Sequence, residues 1–450
     1  MEKETMPENK SQDPPPWRTS TPTEDLACLV KDSVFGADEK GRERCRNSIR
    51  QLAMDHGAFP ASIQGLYEAA GKGLYKGVTV PAINIRGLTY EVSRAVFRAA
   101  LKSDAGAFIF EIARSEIGYT KQRPGEYASC ILAAAIKEGF KGPVFIQGDH
   151  FQVNAAKYAT APDKELSAIE ELIAEAIAAG FLNIDIDAST LVDLKKPGLA
   201  QQQEANCSVT ARMTKFIRGI QPKGVNVSVG GEIGEVGRQN STVGDLRAFM
   251  QGYLSHLGSG TAGISKISVQ TGTTHGGVVL PDGSVAEVEL DFATLRELSK
   301  IAKEEYGLSG AVQHGASTLP ENAFELFPQS GAAEVHLATG FQNIIFDSPR
   351  FPGDLLAEIS HGLKKAYAEE RKAGETDEQF LYKTRKKAFG DFKKQLWEIP
   401  RANLDPIMQA LENQFLFLFK KLNAAGSKDL VSKYVGNDTY QQNKGGPKNG

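Results

Sequence analysis

Histidine is scarce in this 450-residue chain, with seven in all: His56, His150, His256, His275, His314, His336 and His361. Cysteine is scarcer still. Cys28, Cys45, Cys130 and Cys207 form no CxxC pair, which argues against a disulfide framework or a cysteine-rich zinc cluster. Excess positive charge is missing too. A net charge of -3 leaves no basic footprint for nucleic acid or an anionic membrane. No apolar run approaches the roughly 18 residues that a membrane span needs, and the polar, acidic N-terminus has no signal-peptide core. What is there, 41% apolar and 24% charged residues, is ordinary for a globular enzyme. The expectation is a cytoplasmic one.

The pattern along the chain divides it. Residues 1–22, with "SQDPPPW", are too polar and proline-rich to bury a core and are expected to be disordered. Residues 435–450 have the composition of a flexible tail. Residues 23–76 have a helical pattern and form a lead-in. From residue 77 short apolar runs alternate with helical segments. The strand candidates are 78–85, 105–112, 143–148, 181–189, 226–233, 263–271, 309–315 and 333–340. Between them lie helices such as "ELSAIEELIAEAIAAG", where Gly180 suits a C-cap. A dinucleotide-binding sheet needs fewer units and a GxGxxG after its first strand, which is absent. Eight strand–helix units predict a (β/α)8 barrel over residues 77–352. Residues 353–434 form a helical extension. Its "NQFLFLFKKL" (413–422) is too apolar for open surface, so it either packs on the barrel or joins copies into a homodimer or homotetramer.

In such a barrel the active site lies at the C-terminal strand ends, and the polar residues gather there. The first strand ends near Asn84 and the third in Asp149 and His150. The fourth carries Asp185, Asp187 and Ser189, and the fifth ends at Glu232. His275 follows the sixth, His314 ends the seventh, and His336 and Thr339 lie on the eighth. Neutral imidazoles are good ligands for a borderline divalent ion, and His150, His275 and His314 with an open position describe a catalytic Zn²⁺ site. Each histidine alone has a structural alternative. "HGASTLPEN" (314–322) is expected to open a helix with Ser317 or Thr318 as N-cap. That start is either an anion site or a plain capped turn.

At this point the chain resembles the class II, zinc-dependent fructose-bisphosphate and tagatose-bisphosphate aldolases. The motifs are "VPAINIRG", "GDH", "IDAS" (186–189), "GGEIG" (230–234), "GTTHG" (272–276) and "QHGAS" (313–317), in the family's order. The resemblance implies that His150, His275 and His314 bind Zn²⁺ or a related divalent ion. It implies that Asp149 handles the hydroxyl proton and that Glu232 and Asp187 lie near a second metal position. It puts Asn84 against the enediolate, and Gly276, Gly315, Ser317 and Thr339 around a phosphate. The implied reaction is reversible aldol cleavage of a ketose (bis)phosphate.

Three departures stand out. The family's acidic loop after the fifth strand is "EVGRQNST" here, with Gln239 and Asn240 where a general base belongs. His336 replaces an asparagine, which makes it a candidate catalytic group. "GGVVLPDG" after His275 lacks a lysine that many members have. Two alternatives follow: a metal-dependent epimerase or isomerase of a keto-sugar or sugar acid, and a non-catalytic barrel subunit partnering an aldolase. Lys266, in an apolar strand, forms either a Schiff base or an ion pair with Asp185 or Glu232.

Overall fold

The computed structural model describes residues 22–234, 239–272 and 290–435. Nine strands are present: β1 Ala58–Ala61, β2 Val80–Asn84, β3 Ile109–Ala113, β4 Gly142–Gln152, β5 Asn183–Asp187, β6 Ser228–Glu232, β7 Lys266–Val269, β8 Ala311–Gln313 and β9 Glu334–Leu337. All pairings are parallel. Strands β2 to β9 run in the order β4-β3-β2-β9-β8-β7-β6-β5, and a β4–β5 pairing closes the ring. This is the expected (β/α)8 barrel, with every barrel strand but β4 shorter than the apolar run that foretold it.

The crossover helices follow their caps. Pro162–Ala179 stops at Gly180, whose φ of 100° gives the left-handed C-cap expected of it. Thr89–Ser103 buries Val92, Val96 and Phe97 and leaves Lys102 outside.

The lead-in departs from its all-helical expectation. After helices Pro22–Phe35 and Glu39–His56 the chain forms β1. The reason lies in β4, whose 11 residues make it about twice as long as its neighbours. The second half of β4 pairs with β5, which leaves its first half an open edge. Strand β1 covers that edge in register, Ala58 opposite Gly142 through Ala61 opposite Phe145. Beside it, Phe59, Ile63, Leu66, Phe145 and Val431 form a small apolar floor.

The lead-in and extension share the barrel's main core, which runs from Leu26 to Ala424. In the helix Arg401–Lys421, Leu411, Phe415, Leu418 and Phe419 are buried. The Phe419 ring lies 5.3 Å from Phe108 and the Phe415 ring 4.9 Å from Phe341. The chain's own barrel therefore covers the apolar side of "NQFLFLFKKL", and the surplus surface that suggested a contact between copies is not exposed. Among the described residues no helix is long and apolar enough to cross a membrane.

Candidate metal centre and active site

A regular strand points successive side chains to opposite faces, so Asp149 and His150 should not share the barrel mouth. A β-bulge changes that. Gly148 pairs with Ile184 and Phe151 with Ile186, so β4 has one residue more than β5 between them. The extra residue is accommodated at His150, whose φ is +40°, a conformation that costs a non-glycine residue about 1–3 kcal/mol. Gly148 is needed for packing, because a Cβ there would meet the Phe151 ring at 2.5 Å. Asp149 and His150 now both line one cavity of about 860 Å³ at the C-terminal mouth.

His150, Glu232 and His314 each offer a ligand atom, all within 4.8 Å of one another. His150 Nε2 lies 3.0 Å from His314 Nδ1. His150 Nδ1 lies 3.0 Å from Asp187 Oδ2 and 3.1 Å from Glu232 Oε2. Asp187 also accepts from Gln152 at 2.5 Å and from the Ser189 hydroxyl at 2.6 Å. Its carboxylate is thus saturated and orients the His150 ring, as a supporting carboxylate does behind a ligand histidine. The His314 ring lies between His150 at 4.2 Å and His336 at 4.1 Å, tilted by 39° and 43° to them. Burial alone would lower the His150 pKa, yet Asp149 and Glu232 carry it well above the ordinary imidazole value. Despite burial, His150 and His336 hold Asp149 well below the usual carboxylate range.

Three observations fit a divalent cation. The donors are imidazole nitrogen and carboxylate oxygen, suited to Zn²⁺ and its neighbours. Asp149, Asp187 and Glu232 crowd one spot whose nearest counter-charges among the described residues are imidazoles. Asp149 Oδ1 is buried with no well-aligned hydrogen bond among the described residues, its near neighbour being His336 Nδ1 at 3.3 Å.

One layer deeper the barrel holds charge where such barrels usually pack branched aliphatics. Lys266 Nζ meets Gln147 at 2.8 Å, Asp185 at 2.9 Å and both Glu334 oxygens at 2.5 and 2.6 Å. Tyr67 donates to Glu334 from the floor. Gly230 makes room, since a Cβ there would lie 2.3 Å from Asp185 Oδ1. The Lys266 ion pair falls on Asp185, as expected, and on Glu334 rather than Glu232. Despite burial, Lys266 and His336 pull Glu334 down to about 2.

His336 links the two layers. Its Nε2 is 2.9 Å from Glu334. Its Nδ1 is 2.9 Å from Glu111 Oε2 and 3.3 Å from Asp149 Oδ1. Burial, only partly offset by His336, pushes the Glu111 carboxyl up to about 7. Glu111, Asp149 and His336 all line the cavity.

On the cavity wall Asn84 donates to Glu116 at 2.7 Å, and its Oδ1 is buried without a hydrogen-bond partner among the described residues. Arg86 pairs with the same Glu116 at 2.7 Å. Gly315, Ser317 and Thr339 line the cavity as well, but "HGASTLPEN" opens no α-helix. Ala316–Thr318 is a single 3₁₀ turn without a side-chain cap. The Ser317 hydroxyl instead accepts from the Ala338 N–H at 2.7 Å, tying the β8 and β9 loops together. The α-helix that starts beside these residues is Thr339–Phe346. Asn240 donates to Asp291 at 3.0 Å, and neither Asn240 nor Gln239 lines the cavity. His275 and Gly276 lie outside the described residues.

Glu111, Glu334, Arg86 and Glu116 were missed from sequence. The signal that flagged Lys266, a charge inside an apolar strand, was present in "FIFEIA" and "AEVHL" as well.

The family model for class II fructose-bisphosphate aldolase matches residues 62–398. The chain belongs to that family. No curated protein matches it by sequence. Among solved structures, the glycerol-complexed fructuronate-tagaturonate epimerase of Cohnella laeviribosi is 13% identical with a TM-score of 0.55, over 88% of this chain and 90% of that one. A probable tagatose 6 phosphate kinase of Sinorhizobium meliloti is 17% identical with a TM-score of 0.53, over 81% and 93%. The fructose-bisphosphate aldolase of Campylobacter jejuni is 18% identical with a TM-score of 0.50, over 82% and 96%. At these identities the likeness is one of fold.

Proposed function

We propose that this class II aldolase family member is a metal-dependent enzyme that reversibly cleaves a carbon–carbon bond beside the carbonyl of a ketose phosphate or keto-sugar acid. The observation that carries the reading is the His150–Glu232–His314 cluster with Asp149 beside it on the bulged end of β4. His275 would complete the histidine set. A divalent ion held there would act as a Lewis acid on the substrate carbonyl and stabilise the enediolate left by cleavage.

The chain's own residues do the rest. Asp149, kept ionised by His150 and His336, takes the proton of the hydroxyl at the bond that breaks. Asn84 offers its unpartnered Oδ1 to a substrate hydroxyl. Gly315, Ser317 and Thr339 form the wall at which an anionic end is held. With Gln239 and Asn240 unable to move a proton to carbon, the Glu111–His336 pair takes that role, since both groups face the cavity within 3.3 Å of each other or of Asp149. The proton that left oxygen returns to carbon, and no outside donor is needed.

Epimerisation is the second reading, favoured by Asn240 being turned to Asp291 and by the presence of a second cavity acid–base pair. A partner-only subunit agrees poorly with a cluster this rich in ligands. The test is a panel of ketoses, ketose phosphates and keto-sugar acids followed by proton NMR in deuterated buffer, before and after chelation. Aldehyde and ketone fragments that disappear with chelator support cleavage. Inverted substrate without fragments replaces cleavage with epimerisation, and turnover unaffected by chelator overturns both.

A further inference from the structure

The C-terminal extension reaches the cavity through Lys386. The three-residue turn that carries it, Arg385–Lys387, is rich in cations, and its other two members are held by the fold. Arg385 pairs with Asp347 at 2.5 Å and Lys387 with Glu370. Lys386 has no hydrogen-bond or ion-pair partner among the described residues. Its ammonium stands 5.7 Å over the Tyr119 ring, and the side chain is half-buried. Burial and the neighbouring Arg86 lower its pKa, Glu116 and Glu370 offset this only in part, and no carboxylate among the described residues forms an ion pair with it.

The cavity's other cations differ. Arg86 is paired with Glu116 and Arg114 with Glu165, while Lys157 is exposed. Nor is Lys386 on a loose strap. A Cβ on Gly390 would lie 2.0 Å from the Tyr119 carbonyl oxygen, and one on Gly87 would lie 2.1 Å from the Phe389 ring. Lys121 pairs with Asp391 at 2.9 Å. The segment is therefore seated, by close backbone approach, on the loops after β2 and β3.

We propose that Lys386 binds an anionic group of the substrate, phosphate or carboxylate, at the wall of the cavity that the metal ligands also line, and so makes the extension a determinant of specificity. This rests on the function proposed above for its substrate, but not for the anion site itself. A cavity of about 860 Å³ has room for a sugar spanning both regions.

The test uses the full chain with Lys386→Met and Lys386→Arg. Inorganic phosphate and acetate are titrated separately and followed by thermal shift, and metal content is measured for each variant. At least one anion is expected to bind Lys386→Met about 10–100-fold more weakly, the range for a lost charged hydrogen bond, with Lys386→Arg restoring it and metal content unchanged. The responding anion identifies the group. With a ketose phosphate or sugar acid that the wild type turns over, Lys386→Met raises KM and leaves kcat, whereas an uncharged ketose shows no change. Equal anion titrations in wild type and Lys386→Met overturn the proposal whatever the reaction. A wild type that shifts with anion through Lys386 but cleaves and epimerises nothing keeps the anion site and overturns the proposed function.

Discussion

Two clusters of charge lie one above the other in this barrel, and they resolve differently. In the lower one Lys266 gathers Asp185, Glu334 and Gln147 within 2.9 Å, so its carboxylates have their own cation. In the upper one Asp149, Asp187 and Glu232 face His150 and His314, with no lysine or arginine paired to them among the described residues. Both hold a histidine–carboxylate grouping close enough to ligate an ion. The lower sets Lys266 and His336 against two carboxylates, while among the described residues the upper sets three carboxylates against imidazoles. A buried ionic cluster that is internally neutralised is part of the scaffold, and one left short of positive charge is a site.

The contrast can be broken at either layer. The largest effect belongs to Lys266→Met, which strands Asp185 and Glu334 in the interior. It should destabilise the fold by about 3–5 kcal/mol, read from denaturant midpoints, and Lys266→Met combined with Glu334→Gln should recover part of the loss. A midpoint unchanged by Lys266→Met would show that the lower layer is not the scaffold described. In the upper layer Asp149→Ala should keep its metal and lose about 10²–10⁴-fold in turnover. Near-normal rates would remove Asp149 from the proton path.

The smallest effect is a pH dependence in protein stripped of metal. Glu111 is pushed by burial to about 7 from 4.5, and Asp185 by burial to about 6 from 3.8. A carboxyl raised in this way holds its proton more tightly folded than unfolded, so stability falls as pH rises through the interval between the two values. Glu334, held down near 2, acts in the opposite sense and only below the ordinary carboxyl range. The melting temperature should therefore drop between pH 5 and 7, and Glu111→Gln should flatten the drop. A melting temperature that rises over that interval contradicts this assignment of charge.

The upper layer was more legible in the sequence than the lower. Strand periodicity revealed eight barrel strands, because runs such as "PVFIQG" are apolar on both faces, and reading their ends found Asp149, His150, Glu232 and His314. The bulge was not readable. Strict alternation separates Asp149 from His150, and only the pairing of β4 with β5 shows the extra residue that brings them together. Strand β1, four residues with Pro60 inside, is too short for its pattern to rise above the helices around it. Glu111 sits in the middle of β3 and Glu334 opens β9, so a reading of C-terminal strand ends passes over both. Ser317 has the sequence of an N-cap, but its hydroxyl is taken by the backbone of the β9 loop, a partner 21 residues away that no local pattern shows.

The central claim is that the upper cluster holds a divalent ion and the lower one does not. The most direct measurement is the metal content of the purified chain beside that of His314→Ala and Lys266→Met combined with Glu334→Gln. The account predicts divalent metal in the wild type, its loss in His314→Ala, and its retention in the lower-layer double variant. Wild-type protein free of metal when purified without chelator, or His314→Ala with its metal intact, would contradict it.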